Sequence, residues 1–413
     1  MIAEVAALLL AAAAGVVLAR RLDRAAAGTL LIGEGILFGI GFAAVVLLAL
    51  SIAGVPWTRT AVLVAMIGTA AVLARRFAPP SLRAFSPIDV VTLVLLAGYT
   101  RFATMAPLWE FDYIGDFGLK GRAFFEARAI DWHFLQTVFV GGVHPDYPPL
   151  LPLAFDFLAI SRGAWDDAAQ GLLNVAFALG LLLVVRHLAA EETGSTHAGA
   201  FVAAALLPLA ASPWIGLAEA PLVAFGTAAL LLLRRGSVAA GAVMLGLAAL
   251  TKNEGLALIV AAALGLAAAK RARDIARLWP AAAIALPWLV LRAVHHLHTD
   301  LAEGSVGARI AGHLRDPKLL FDALAASRPG RPFFWMAMAV AAAIVIRPLL
   351  ARERFVLAAV AAQLAIYIAA YLASPYDVPW HVRWSWERLI SHVAPALTYV
   401  VLVKLLPDRR AAA

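Results

Sequence analysis

Runs of apolar residues close to the length that crosses a bilayer recur from one end of the chain to the other, with polar residues gathered in short clusters between them. The pattern predicts membrane-spanning helices near residues 3–19, 29–53, 60–74, 88–107, 168–186, 199–212, 215–233, 237–250, 255–269, 279–294, 333–350, 355–372 and 391–406, thirteen in all. The run "PPLLPLAFDFLAIS", residues 148–161, is left out. It is shorter than the roughly 20 helical residues that cross the hydrocarbon core, so it is expected to lie in the membrane interface. The fold class this predicts is an all-α polytopic membrane protein.

Composition agrees: 63% of residues are hydrophobic, 15% are charged, and the mean hydropathy is +0.86. The 34 Lys and Arg exceed the 26 Asp and Glu, which in a soluble protein would suggest a nucleic-acid partner. Here the basic residues sit between apolar runs, where they set topology instead. With 148–161 in the interface, the clusters Arg20/Arg21/Arg24, Arg75/Arg76/Arg83, Arg234/Arg235, Lys270/Arg271/Arg273/Arg277, Arg347/Arg352/Arg354 and Lys404/Arg409/Arg410 all fall on one side. Counting 148–161 as a span would put the first two clusters opposite the other four, against the positive-inside rule. The first run has an acid before it and basic residues after it, the reverse of a secretory signal peptide. A retained first span is therefore expected, with the N-terminus outside and the C-terminus cytoplasmic. Without cysteine, disulfides, thiolate metal sites and a cysteine nucleophile are excluded.

This parity collects the unusual polar segments on the outer face. "EFDYIGDFGLK" carries Glu110, Asp112, Asp116 and Lys120 within eleven residues. If 112–120 is helical, Asp112, Asp116 and Lys120 recur every four residues and share one face. Gly115, Gly118 and Gly121 weaken that helix, and a loop with short helical turns fits equally. An interfacial helix with i,i+4 ion pairs is the plainer alternative. "HPDYPPL" (144–150) offers His144, Asp146 and Tyr147 ahead of a stiffening Pro pair, to line a site or merely to end a loop. "TKNEG" (251–255) sets Lys252 and Glu254 at a hairpin of two spans, where a structural ion pair competes with a functional one. "SPYDVPWHVRWSWERL" (374–389) places His381, Arg383 and Arg388 among Trp380, Trp384 and Trp386, also readable as an aromatic belt with headgroup contacts. In the loop 295–331, His295, His296 and His298 with Asp300 and Glu303 are a conceivable zinc set, against the plainer reading of a polar helix end. Glu34, in a span among glycines, could face another helix, and Glu219, after "SPWIGLA" close to the outer surface, could reach the acceptor site; neither receives a firm role.

Taken together, these segments resemble the polytopic membrane glycosyltransferases of the C-type (GT-C) fold, in particular bacterial relatives of protein mannosyltransferases and lipid A aminoarabinose transferases. Asp112, Phe117 and Lys120 keep the spacing of an outward-loop Asp with an aromatic five and a Lys eight residues on, although Phe111 and Tyr113 replace the flanking Trp and Ala of an uncharacterised bacterial subgroup. "HPDYPPLLPL", "LAALTKNEGLAL" and "SPYDVPWHVRWSWERLISHVAP" match further elements of that group. The resemblance covers about 88–406, including an outward loop 108–167, and leaves the spans in 1–87 without a role and 407–413 as a cytoplasmic tail.

The resemblance implies transfer of a sugar from a polyprenyl-phosphate donor to a lipid, polysaccharide or protein acceptor, at the outer face of the bacterial inner membrane. That chemistry needs a base for the acceptor hydroxyl and cations for the departing phosphate. Asp112 is the expected base, with Asp116 its competitor. Lys120, Lys252, His381, Arg383 and Arg388 are the candidates for the phosphate, Arg388 first. His144, Asp146, Tyr147 and Glu254 are the candidates for sugar or acceptor. No metal is expected, though Asp112 and Asp116 could hold Mg or Mn. No P-loop or glycine-rich fingerprint for a nucleotide sugar is present, which favours a lipid-linked donor. A secondary transporter or lipid flippase is the alternative; it would want ionisable residues near the midplane, broken helices and repeated halves. A nonenzymatic scaffold would leave the one-sided acids and bases unexplained.

Overall fold

The computed structural model describes residues 1–73, 85–137, 143–299, 304–328 and 330–407, and these form helices with no strand among the described residues. Arg75, Arg76, Arg83, Asp300, Glu303, Arg409 and Arg410 lie outside them. The first group of helices comprises α1 (Ile2–Leu22), α2 (Gly28–Ile52), α3 (Arg59–Leu73) and α4 (Pro87–Thr104). A π-helical turn at Tyr113–Phe117 then leads into α5 (Gly118–Ala127), α6 (Trp132–Thr137), α7 (Leu150–Arg162) and α8 (Asp167–Gln170). Next come α9 (Leu172–Thr193), α10 (Thr196–Ala210), α11 (Glu219–Arg235), α12 (Val238–Thr251), α13 (Asn253–Ala268), α14 (Ala272–Ala276) and α15 (Trp279–Val294). The last group is α16 (Val306–Leu314), α17 (Pro317–Ala326), α18 (Pro332–Ile344), α19 (Ile346–Arg352), α20 (Arg354–Ala373), α21 (Val378–Ser391) and α22 (Ala394–Leu405).

Among the described residues five helical stretches are long and apolar enough to cross a membrane, Ile2–Leu22, Gly28–Ile52, Asp167–Thr193, Ala272–Val294 and Arg354–Ala373. The bent pairs α18/α19 (77°) and α21/α22 (45°) raise the number to seven if each is one broken span. The chain is thus a helical protein built for a membrane. Apolar helices of shorter length occupy further predicted stretches, at 59–72, 196–210, 238–251 and 253–268.

The run 148–161 forms helix α7, which is not among the helices long enough to cross a membrane. Helix α7 does not lie on an open surface: Leu150 to Ile160 are all buried, against α1, α2 and α5. An apolar segment too short to cross lipid has been covered by protein instead, and Asp156 goes into the interior with it.

The first helices are joined by small residues. On α1, Ala7, Ala11, Gly15 and Ala19 recur every four residues and are buried; on α2 they meet Gly35 and Gly39. A Cβ on Gly39 would stand 2.1 Å from the Ala11 carbonyl oxygen, and one on Gly15 would stand 1.9 Å from that of Gly35. The two backbones therefore touch, the close approach that small-xxx-small patterns permit between membrane helices. Helix α2 also packs on α9, so residues 1–73 are continuous with the rest of the bundle. Beyond α9 the order of packing runs α9 on α10, α11 on α12, α12 on α13 and α15, and α13 on α20.

Charged residues gather at two opposite ends of this bundle. At one, Arg234 at the end of α11 makes paired bonds to Glu192 (2.7 and 2.7 Å) and Glu353 (2.5 and 2.7 Å), and Lys404 reaches both acids (2.7 and 3.0 Å). Beside it Arg235 holds Asp23 and Glu191, and Arg186 grips Asp89, which also closes a capping box with Ser86 at the start of α4. Helix α11 stops there because Gly236 takes φ +101°, a conformation other residues resist. The other end of α11 begins at Glu219, about 25 Å away for 17 residues at the helical rise, and the remaining polar segments assemble around it.

Candidate functional site

The stretch 112–120 is helical, but its face is broken. The π turn at Tyr113–Phe117 bonds Gly118 N–H to the Tyr113 carbonyl and so carries one more residue per turn than an α-helix. Gly118 makes this tight turn possible, since a Cβ there would lie 2.7 Å from the Tyr113 oxygen. As a result Asp112 leaves the face expected for it. Asp116 and Lys120 remain an i,i+4 pair at 2.8 Å, both 2% exposed at the side chain, while Asp112 precedes the turn and points elsewhere, 30% exposed.

Asp112 meets Arg388 of α21 at 2.5 Å. The same guanidinium donates through Nε to Glu219 Oε1 at 2.7 Å, with its terminal nitrogen at ion-pair distance from that oxygen, also 2.7 Å. Glu219 is wholly buried in the first turn of α11, where a helix N-terminus favours a negative charge. Its Oε1 also receives Lys252 Nζ at 3.4 Å, and Lys252 in turn pairs with Glu254 at 2.9 Å. Lys252 can reach inward because it is the extended residue, φ −160°, at which α12 ends and α13 begins. Asp112, Arg388, Glu219, Lys252 and Glu254 thus form one continuous chain of alternating charge, contributed by the segment between α4 and α5, α21, α11 and the α12/α13 hairpin.

A second group adjoins it. Asp116 Oδ1 accepts from the His144 amide (3.1 Å), and Lys120 donates to the His144 carbonyl (2.9 Å), so the buried pair grips the backbone of the "HPDYP" segment at both polar groups. Burial pushes the Asp116 carboxyl above its ordinary value, against the pull of Lys120 and the His144 amide. Tyr147 stacks on His144 (4.4 Å between ring centres), with Lys120 and Lys252 at 5.7 and 5.9 Å from its own ring centre. Desolvation, reinforced by Glu254 and Asp146, holds the Tyr147 phenol well above its usual range, so it stays a hydrogen-bond donor. Asp146 is nearly buried; its carboxylate accepts from Asn253 (3.3 Å) with Arg292 at 3.7 Å, and its carbonyl accepts from Trp288 Nε1 (3.1 Å). These bonds fasten the segment to α13 and α15.

Of the residues picked out by sequence, Asp112, Lys252, Glu254 and Arg388 come together directly, and Asp116, Lys120, His144 and Tyr147 form the wall beside them. The side chain of Asp146 is turned to Asn253 and Arg292. Arg383 is exposed on another side of α21. His381 is hydrogen-bonded to Ser374 (3.0 Å) and packed edge-on against Tyr371. His295 lies flat on Trp132 at 3.8 Å instead of facing other ligands, and no three His, Asp or Glu side chains among the described residues are grouped to hold a metal. Asp112 and Asp116 face different cations, Arg388 and Lys120, which does not suit a shared Mg or Mn.

Sequence reasoning gave Glu219 no firm role and passed over Asn253, Trp288 and Arg292. Glu219 carried one usable signal: an acid between alanines, two residues before Pro221, where an apolar run begins. Trp288 and Arg292, four residues apart near the end of a predicted span, are an ordinary belt pair in sequence and a loop anchor in three dimensions.

Chemically, the arrangement offers one partly accessible carboxylate, Asp112, beside two cations whose spacing is set by a buried acid. Such a site can accept a proton and neutralise a developing anion within the same few ångströms. No family model matches the chain, and no match is found among curated proteins or solved structures.

Proposed function

We propose that this chain is a membrane glycosyltransferase of the GT-C type, with thirteen spans and its polar site at the outer face of the bacterial inner membrane. It would take a sugar from a polyprenyl-phosphate donor to a lipid, glycan or protein acceptor. The observation that carries the reading is Arg388 held between Asp112 and the buried Glu219, with Lys252 on the same carboxylate oxygen. The opposite pole, rich in Arg and Lys, favours a cytoplasmic position by the positive-inside rule.

In this reading the acceptor hydroxyl oxygen attacks the anomeric carbon opposite the phosphate. The carbon–oxygen bond to phosphate breaks, the phosphate departs with the electron pair, and the acceptor proton passes to Asp112. A single displacement inverts the anomeric configuration. Arg388 and Lys252 face the charge that grows on the leaving oxygen. Tyr147, kept protonated, and Glu254 line the same space and serve the sugar or acceptor.

A second reading, a secondary transporter or flippase, draws on two buried acids, Glu34 in α2 and Asp156 in α7, whose carboxylate oxygens have no hydrogen-bond partner among the described residues. Ionisable groups of that kind inside a membrane bundle commonly mark a pathway.

The test is transfer of radiolabelled sugar by the purified protein from a panel of polyprenyl-phosphate sugars. Asp112→Asn is expected to reduce transfer by about 100-fold or more, the scale of a lost general base. Retained transfer in that variant would remove Asp112 from the chemistry. Absence of both transfer and donor binding, with movement of a lipid or solute that Asp156→Asn abolishes, would favour the transporter.

A further inference from the structure

We infer that Glu219 is a positioning residue that fixes the phosphate-facing cations, and that Asp112 and the donor phosphate compete for the same place on Arg388. The inference rests on the reading above and adds a role to a residue that reading leaves unassigned.

The geometry distinguishes the two acids on the same guanidinium. Glu219 is wholly buried, accepts from Arg388 Nε at 2.7 Å and pairs with its terminal nitrogen, also at 2.7 Å. Asp112 accepts from the terminal nitrogen and is 30% exposed at its side chain. A wholly buried acid has no water to fall back on, so breaking its contact with the guanidinium is the costlier event. The exposed acid can be solvated when it lets go. An incoming phosphate therefore replaces Asp112 and leaves Glu219 in place.

One atom does the positioning. Glu219 Oε1 is shared by Arg388 and Lys252, so the separation of the two cations is set by a single buried oxygen. Its other oxygen, Oε2, has no hydrogen-bond partner among the described residues. Without the acid, two buried cations would repel each other and spread.

The experiment is a calorimetric titration of undecaprenyl phosphate in detergent against the purified full chain, with undecaprenol as the phosphate-free control. Glu219→Ala is expected to weaken binding about tenfold, and Glu219→Gln, which keeps an acceptor oxygen, by less. Asp112→Asn is expected to act in the opposite direction and tighten binding severalfold, since it removes the competitor for Arg388. A merely structural role for either acid would not produce effects of opposite sign. Thermal unfolding midpoints establish that each variant is folded, and Glu219→Gln stands in if the alanine variant is not. Wild-type binding by a folded Glu219→Gln and a folded Glu219→Ala would overturn the anchoring role; weaker binding by Asp112→Asn would overturn the exchange. If the wild-type protein binds undecaprenol as tightly as undecaprenyl phosphate, it is the underlying reading that fails.

Discussion

Arg388 and Asp112, 276 residues apart in the chain, meet at 2.5 Å where α21 passes the segment between α4 and α5. Arginine suits this position because it offers separate nitrogens to Asp112 and Glu219. Lysine would bring one point charge to a site that uses two. Arg388→Lys is therefore expected to lower transfer by about 10- to 100-fold while the protein stays folded. Steady-state transfer measured beside a thermal unfolding curve checks this, and unaltered turnover would disconnect the guanidinium from the reaction.

Lys120 and Asp116 should behave as structure. Lys120→Met strands a buried carboxylate and is expected to cost about 3 kcal/mol, the scale of a broken buried ion pair. The double variant Lys120→Met/Asp116→Asn should recover much of that loss, because no charge is left stranded. Reversible unfolding in mixed micelles would measure both. A double variant no more stable than Lys120→Met would argue that the pair is not an isolated unit.

The π turn makes a contrast between two neighbouring glycines. A Cβ on Gly118 collides with the Tyr113 carbonyl, whereas one on Gly115 meets open space. Gly118→Ala is expected to destabilise the protein by about 1–3 kcal/mol through overpacking, and to move Asp112 off Arg388. Gly115→Ala should be neutral or slightly stabilising, by up to about 1 kcal/mol. Equal unfolding midpoints for the two variants would contradict the turn as described.

At the opposite pole, Arg234→Met takes four charged hydrogen bonds from Glu192 and Glu353 and leaves Glu353, 2% exposed at its side chain, with Lys404 at 3.0 Å as its remaining cation. A loss of about 2–3 kcal/mol is expected, the upper range for hydrogen bonds to charged groups. Arg235→Met should cost less, because Asp23 keeps bonds from Ser237 and the Ala25 amide, and Glu191 is partly open to solvent. Unfolding measured on the two variants side by side would reveal any reversal of that order.

The apolar runs were legible because membrane helices announce themselves by composition: helix occurs in each stretch chosen for a span, and five to seven of the helical stretches among the described residues are long and apolar enough to cross a membrane. The burial of the run at 148–161 was not legible for a physical reason: hydrophobicity reports removal from water without saying whether lipid or protein does the covering. The shared face of Asp112, Asp116 and Lys120 failed at one residue, since the extra residue of a π turn leaves no mark on the spacing of side chains. Glu219 escaped notice because its meaning lies in Arg388, 169 residues later, and in the break at Lys252. Charge type could be read locally; pairing across the bundle could not.

The glycine seam between α1 and α2 carries a consequence for variation. At Gly15, Gly35 and Gly39 the neighbouring chain already occupies the space of a first side-chain carbon. A random change there can only add atoms, so nearly every mutational step leads outward from a filled volume. The same holds on the facing stripe of Ala7 and Ala11, where only the step to glycine subtracts. This seam is a one-way ratchet: its residues can be exchanged among the smallest types, and lineages that carry it would drift elsewhere along the two helices long before they drift here.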